Sequence, residues 1–302
     1  MTQSASYFGA VATDQAVAGF TAGLVSTLVC HPLDVIKIRL QVDDTVNGKN
    51  RLIGRSAKVV TSLMRSDGIQ GLYRGISPSV AGASVSWACY FWWYQHMKDG
   101  IRRSNGGSAP TAPQHLAASA ASGAITAFFT NPLWVIKTRM CATSSSQVDA
   151  YSSMANGLSR LVREEGLRGL YRGFIPSLAG VSHGAIQWMV YEELKKWRIH
   201  ENDYHVKENL STTEYIGMSV TSKLTALILT YPYQVVRSRL QNEKDDRKYR
   251  GLTQVISKTL KSEGLIGFYK GMFPNIVRVL PGTCITFLVY EQCTRYFREH
   301  GH

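Results

Sequence analysis

Residues 32–41 read PLDVIKIRLQ, and the phrase returns as PLWVIKTRMC at 132–141 and PYQVVRSRLQ at 232–241. The three copies begin one hundred residues apart. Each has a base five places after its proline (Lys37, Lys137, Arg237) and an arginine seven places after it (Arg39, Arg139, Arg239). A second phrase follows each copy: DGIQGLYRG ending at Gly75, EGLRGLYRG ending at Gly173 and EGLIGFYKG ending at Gly271. Three residues beyond each comes another proline, Pro78, Pro176 or Pro274. Signatures kept in step at this length are the mark of internal duplication. The chain is a triplicated unit of roughly one hundred residues.

Working outward, each unit reads as a leading helix, a link holding a short amphipathic helix, and a trailing helix. Before Pro32 runs QAVAGFTAGLVSTLVCH (15–31), small and apolar, with Gly19 and Gly23 four apart; Ser119 and Gly123 stand at the matching places. Small residues at this spacing let membrane helices approach closely. Candidate trailing spans include ISPSVAGASVSWACYFWWY (76–94) and FIPSLAGVSHGAIQWMVY (174–191). About twenty residues suffice to cross about 30 Å of hydrocarbon. The proline inside each leading helix removes one backbone bond and should kink it. Mean hydropathy is only −0.11 over 302 residues. A helix with lipid on one side and water on the other has this mixed character, and so does a soluble helical-repeat binder.

Charge separates those two. The formal net charge is +13. Segments 37–74, 137–172 and 237–270, the links within the three units, hold 23 basic and 10 acidic residues, and the remainder is balanced. All excess positive charge therefore sits in alternate loops, which is the bias that orients membrane helices. A nucleic-acid binder would gather its bases into one patch on a recognition module, so no nucleic-acid partner is expected. The five cysteines (Cys30, Cys89, Cys141, Cys284, Cys293) form no C-x-x-C pair and no metal-ligand spacing, and four lie in apolar or small-residue runs typical of buried thiols. No nucleophile–base pair, nucleotide loop or ligand cluster is legible, so an enzyme, a metal and a resident cofactor are not expected. The first fifteen residues lack Lys, Arg and an apolar core; any organelle address is expected further inside the chain.

With these motifs in hand, the sequence resembles the mitochondrial carrier family across essentially its whole length. The family repeat carries P-x-[DE]-x-x-[KR] on leading helices, then [DE]-G-x-x-x-x-[YWF]-[KR]-G, then [FY]-[DE]-x-x-[KR] on trailing helices. The resemblance implies an all-α membrane protein: six transmembrane helices in three pseudo-threefold repeats, short matrix helices, a water-filled cavity and alternating access. The repeats would span 1–104, 105–203 and 204–302, with both termini cytosolic and the basic loops in the matrix. PLWVIKTRM (132–140), SHGAIQWMVYEELK (182–195) and YKGMFPNIVRVLPGTCITFLVYE (269–291) resemble the folate and FAD carriers within that family.

The resemblance also implies two gates. On the matrix side the matching positions are Asp34/Lys37, Trp134/Lys137 and Gln234/Arg237, three bases facing one acid. If each acid meets the base of the next leading helix, Asp34–Lys137 is the one full ion pair. Trp134 would then face Arg237 as a cation–π partner or simply pack, and Gln234 would meet Lys37. Gln41 and Gln241 match the family's bracing glutamine, from which Cys141 departs. On the cytosolic side stand Gln95/Lys98, Glu192/Lys195 and Glu291/Thr294; pairing in one sense yields Lys98–Glu192 and Lys195–Glu291.

The family's solute contact points fall seven residues after each second-signature glycine, at Gly82, Gly180 and Arg278. Ser86, Trp87, His183 and Gln187 follow at helical spacing. An arginine inside a span is costly unless it serves water or ligand, so Arg278 is expected to hold a phosphate or carboxylate. The two glycines would leave room for a bulky ring and Trp87 would offer it a stacking face. Lys223 replaces the small residues at 23 and 123; it either binds substrate charge or hydrogen-bonds neighbouring carbonyls. His183 is as readily a packed histidine. The resemblance thus implies a monomeric multi-pass transporter of the mitochondrial inner membrane. It would carry FAD or folate, a small anionic aromatic substrate, amid inner-membrane lipid that includes cardiolipin. NAD or a pyrimidine nucleotide is the alternative cargo, and a non-transporting membrane scaffold the alternative class.

Overall fold

The computed structural model describes residues 7, 11–44, 52–201, 211–244, 249 and 251–300. Every regular element among them is helical: α1 (Val11–Val42), α2 (Leu52–Ser66), α3 (Gly68–Leu72), α4 (Ile76–Ser104), α5 (Ala112–Ala142), α6 (Met154–Leu170), α7 (Phe174–Leu178), α8 (Val181–Glu201), α9 (Thr212–Asn242), α10 (Leu252–Glu263) and α11 (Met272–His300), with a 3₁₀ turn at Leu265–Tyr269. The proposed repeat boundary at 203/204 lies outside the described residues.

The six long helices (α1, α4, α5, α8, α9, α11) run 21–32 residues, about 31–48 Å at 1.5 Å per residue. Pro32, Pro132 and Pro232 lie inside α1, α5 and α9. Thr13–Val42 and Leu265–His300 contain windows of mean hydropathy 1.5, of which only 22% and 12% is buried within the protein. A soluble core helix would be mostly buried. Large apolar side chains instead stand out from the long helices, among them Phe20, Phe91, Phe129, Trp188, Leu229 and Phe287. Water penalises such a surface and lipid does not.

The chain divides into two compact units, Met1–Val85 with Pro132–Glu164 and Lys270–His302, and Ser86–Asn131 with Glu165–Tyr269. The first unit's core joins Val35 and Ile38 of α1, Leu63 of α2 and Cys141 of α5. The second joins Val236 and Leu240 of α9, Tyr249, Val255 of α10 and Phe268. In both, the short amphipathic helix lays its apolar stripe on the end of a long helix beyond the proline.

The second signature is a turn that only glycine enters freely. Gly68, Gly166 and Gly264 have φ of 61–66°, and Gly75, Gly173 and Gly271 have φ of 71–82°, the left-handed region that costs other residues energy. Space is a second reason. A Cβ on Gly75 would stand 2.8 Å from Cys141 Sγ, and one on Gly173 would stand 2.9 Å from the Gln241 side chain. Residues before the prolines dock on the same turn: the buried His31 shares a 3.0 Å hydrogen bond with the Arg74 carbonyl, and Asn131 Nδ2 donates to the Leu170 carbonyl at 2.7 Å.

Three expectations change. Gly19 and Gly23 face open space; the tightly buried side of α1 is one residue earlier, at Ala18 and Ala22. Of the cysteines, Cys30 and Cys141 are buried and Cys284 is exposed. An unforeseen proline, Pro281, lies inside α11. Beside it the Gly282 carbonyl accepts from Ser26 Oγ of α1 at 3.0 Å and from Thr286 Oγ1 at 2.8 Å.

Candidate functional site

Just past Pro32, α1 turns Asp34 toward two cations. Lys137 Nζ of α5 lies 3.3 Å from Asp34 Oδ2, and Arg278 Nη1 of α11 lies 3.1 Å from Asp34 Oδ1. Each carboxylate oxygen thus takes one cation. Asp34 and Lys137 have side chains only 12% and 13% exposed, against 36% for Arg278. This gives the carboxylate little water to fall back on, so losing either cation is expensive. Arg278, expected to hold a phosphate or carboxylate, here pairs with the acid of the first signature. Its Nε is buried without a hydrogen-bond partner among the described residues.

Lys137 Nζ also stands 5.1 Å from the centroid of the Trp134 indole, one turn earlier on α5, within reach of a cation–π contact worth roughly 0.5–1 kcal/mol. A cation over Trp134 is thus Lys137 of its own helix. The same indole fills the space that Gly82 was expected to leave for a ring: a Cβ on Gly82 would lie 3.6 Å from it. Within the first unit these residues form one cluster, with Arg278, Asp34, Lys137, Trp134 and Gly82 following one another in contact. Lys37 lies half-buried one turn beyond Asp34.

In the second unit the corresponding place is aromatic. A Cβ on Gly180, between α7 and α8, would meet the Ser177 carbonyl at 2.9 Å and the Tyr233 hydroxyl at 3.3 Å. The room expected for a ring is occupied by Tyr233. One signal was available for this, since the residue after the signature proline is leucine in two copies and tyrosine in the third. His183 Nδ1 shares a 2.9 Å hydrogen bond with Thr230 Oγ1, and that hydroxyl donates to the Ala226 carbonyl at 2.6 Å. Nδ1 therefore carries the proton in this arrangement, and the histidine is tied into the α8–α9 packing. Ser86, Gln187, Lys223, Gln234 and Arg237 are half-buried on their helices.

Trp87 is 61% exposed and stacks on Phe91 of the same helix with centroids 5.5 Å apart. The side of α4 that meets α5 is another one, where Tyr90 reaches Ser119 at 2.8 Å and Tyr94 reaches His115 at 2.9 Å.

Of the cytosolic positions, Lys98 and Glu192 are half-buried and form no ion pair with each other among the described residues; Gln95 donates to Asp99 at 3.2 Å. Lys195 is half-buried and Glu291 exposed. The expected Lys98–Glu192 pair is thus unmade while Asp34–Lys137 is made.

The family model for "Mitochondrial carrier protein" matches residues 10–105, 108–202 and 208–301. A chloroplastic folate transporter of Arabidopsis thaliana is 36% identical over 95% of this chain and 96% of its own length. A mitochondrial NAD transporter of the same plant is 41% identical over 93% of this chain and 79% of its own. A mitochondrial FAD carrier of Saccharomyces cerevisiae is 37% identical over 92% and 94%. The chain belongs to the mitochondrial carrier family, and its three-repeat, all-helical architecture is the carrier fold. It is a membrane transporter in kind.

Proposed function

We propose that this protein moves FAD, folate or both across the mitochondrial inner membrane by alternating access, as a monomeric multi-pass carrier that leaves its cargo chemically unchanged and needs no cofactor. One observation supports this above others: two cations, Lys137 and Arg278, share a single carboxylate beside an indole. A phosphate or carboxylate entering from the open side competes with Asp34 for Arg278, for which a bidentate partner suits the guanidinium better than a single oxygen. The same event takes a counter-ion from Asp34 and loosens its hold on Lys137. Charge recognition and release of the matrix-side pair are thereby coupled through one side chain. Lys98–Glu192 and Lys195–Glu291 then close the cytosolic side. Ser86, Gln187 and Lys223 supply further polar contacts along the path.

NAD is the second reading, favoured by the 41% identical NAD transporter; a pyrimidine nucleotide is a variant of it. A non-transporting scaffold has no use for the cationic cluster. An anionic membrane lipid such as cardiolipin is the expected partner of the second unit. A cleft of about 240 Å³ there is bounded by Arg168, Arg172 and Gly251, with Tyr171 and Tyr249 alongside.

The test is reconstitution into liposomes with labelled FAD, folates, NAD, pyrimidine nucleotides, phosphate and small dicarboxylates. Uptake of FAD or folate, abolished in a folded Arg278→Ala variant, is the expected result. Uptake of phosphate or dicarboxylates alone overturns the aromatic cargo.

A further inference from the structure

The signature arginines of the first and third repeats behave differently. Arg239 makes a close ion pair with Glu263, the acid of its own second signature, at 2.7 Å, and adds a 2.7 Å hydrogen bond to Thr259. Arg39 reaches its equivalent acid, Asp67, only at 3.4 Å. Its guanidinium turns instead to the end of α5, donating from Nε to the Cys141 carbonyl at 3.0 Å and from Nη2 to the Thr143 carbonyl at 3.3 Å. Asp67 turns the same way. Its Oδ1 accepts from the Ser145 amide at 3.1 Å and from Ser145 Oγ at 2.6 Å, its Oδ2 accepts from Ser144 Oγ, and Ser66 Oγ lies 3.1 Å from Ser144 Oγ. Arg74, at the close of the first repeat's second signature, also donates to the Met140 and Tyr151 carbonyls at 3.0 Å each. The arginine and acid of the first repeat thus both bond to the segment that follows α5, much as Lys270 of the third repeat donates to the Asp43 carbonyl past α1 at 2.6 Å.

Position explains why this is possible here. At the same offset the first and third repeats read Asp43-Asp44-Thr45 and Glu243-Lys244-Asp245, whereas the second reads Thr143-Ser144-Ser145. A carboxylate at 144 or 145 would face Asp67 and repel it; hydroxyls donate to it. Burial alone would raise the Asp67 carboxyl, but the hydrogen bonds from Ser144, Ser145 and Arg39 outweigh it and hold the carboxyl down at about 2. The acceptor therefore stays charged at any physiological pH.

We propose that Asp67, Ser144 and Ser145 form a latch at the junction between repeats 1 and 2. It fastens the α5–α6 segment to the end of α2 whenever the neighbouring Asp34–Lys137 pair is made, and must let go for that end of the molecule to open. Asp67 and Ser145 are positioning residues and touch no cargo. Cys141 is the natural reporter: its side chain is fully buried under the Arg74–Gly75 turn, with Sγ 3.4 Å from the Arg74 carbonyl, so alkylation requires the latched end to part. The latch goes beyond the cargo assignment and rests on alternating access only for its effect on uptake.

The experiment uses full-length protein in liposomes with Cys141 as its sole cysteine, and follows modification by N-ethylmaleimide alongside FAD uptake and thermal melting. Hydrogen bonds to a charged group are worth enough that their loss should speed labelling roughly 10- to 100-fold. That acceleration is expected for Ser145→Asp and for Ser144→Ala/Ser145→Ala, while Ser145→Thr, which keeps the hydroxyl, should label like the parent. Unchanged labelling in both the acidic and the double-alanine variants overturns the latch. So does a lowered melting temperature without faster labelling, which marks those serines as merely structural. If labelling responds as expected but no panel compound is taken up, the latch stands and the transport reading falls.

Discussion

The junction of α11 with α1 and the junction of α8 with α9 occupy equivalent places in the repeat, yet beside the signature proline the first is held by charge and the second by fit, its ion pair, Arg198–Glu214 at 2.8 Å, lying at the far ends of its helices. At the first, Arg278 spans to Asp34 at 3.1 Å. At the second, Gly180 makes room for the Tyr233 hydroxyl. A third, between Gly82 of α4 and Trp134 of α5, resembles the second in chemistry but is looser. Contact held by charge can be traded for contact with an anionic ligand, because another anion can replace the carboxylate. Contact held by shape offers a ligand no such exchange. The difference distinguishes a contact that an anion can exchange from one that it cannot.

The strongest way to break this contrast is Asp34→Ala. Removing the carboxylate strands two cations and should cost about 3 kcal/mol, seen as a lower melting temperature together with lost uptake. If the variant melts like the parent, the Asp34 junction is not held by charge. The two glycines test the other side. Gly180→Ala places a methyl 2.9 Å from a backbone carbonyl and should destabilise by about 1–3 kcal/mol. Gly82→Ala puts its methyl at an ordinary 3.6 Å from the indole and should gain about 0.5 kcal/mol from helix propensity. Equal shifts in the two melting curves would erase the distinction between tight and loose fit.

Lys98→Ala should leave melting within about 0.5 kcal/mol of the parent, since its pair with Glu192 is unmade here, while uptake falls because the opposite conformer needs that pair. A large loss of stability would show Lys98 already engaged. The last effect is confined to acid. The Asp67 carboxyl titrates at about 2 in the native protein against about 3.9 in an unfolded chain. A depressed native value supplies stability that is fully present above about pH 4 and lost as pH falls through 2. Melting between pH 5 and 9 should therefore be unaffected by this group, and the drop from pH 4 to 2 should be smaller in Asp67→Asn.

Spacing carried most of what was legible in the sequence. Prolines one hundred residues apart and paired glycines located the long helices and the tight turns, because repetition converts one local rule into three, while the meeting of Asp34 with Lys137 came from the family resemblance. What escaped lies in the departures from repetition. Arg278 was recognisable as an odd cation, but its partner is 244 positions earlier in the chain, and nothing local announces such a pair. Tyr233 and the serines after α5 looked like ordinary variation; they mattered only once the neighbouring groups were in place.

The packing units cut through α4 and α5 rather than between the repeats, and this bears on how such a chain could be taken apart. A fragment ending at residue 104 would forfeit Cys141 from the small nucleus it shares with Val35, Ile38 and Leu63, and would leave the α1 carboxylate with neither of its cations. What is threefold in ancestry is therefore not threefold in autonomy. A lone repeat should aggregate, whereas co-expressed pieces divided at the exposed Val148, which breaks none of those contacts, should reassemble.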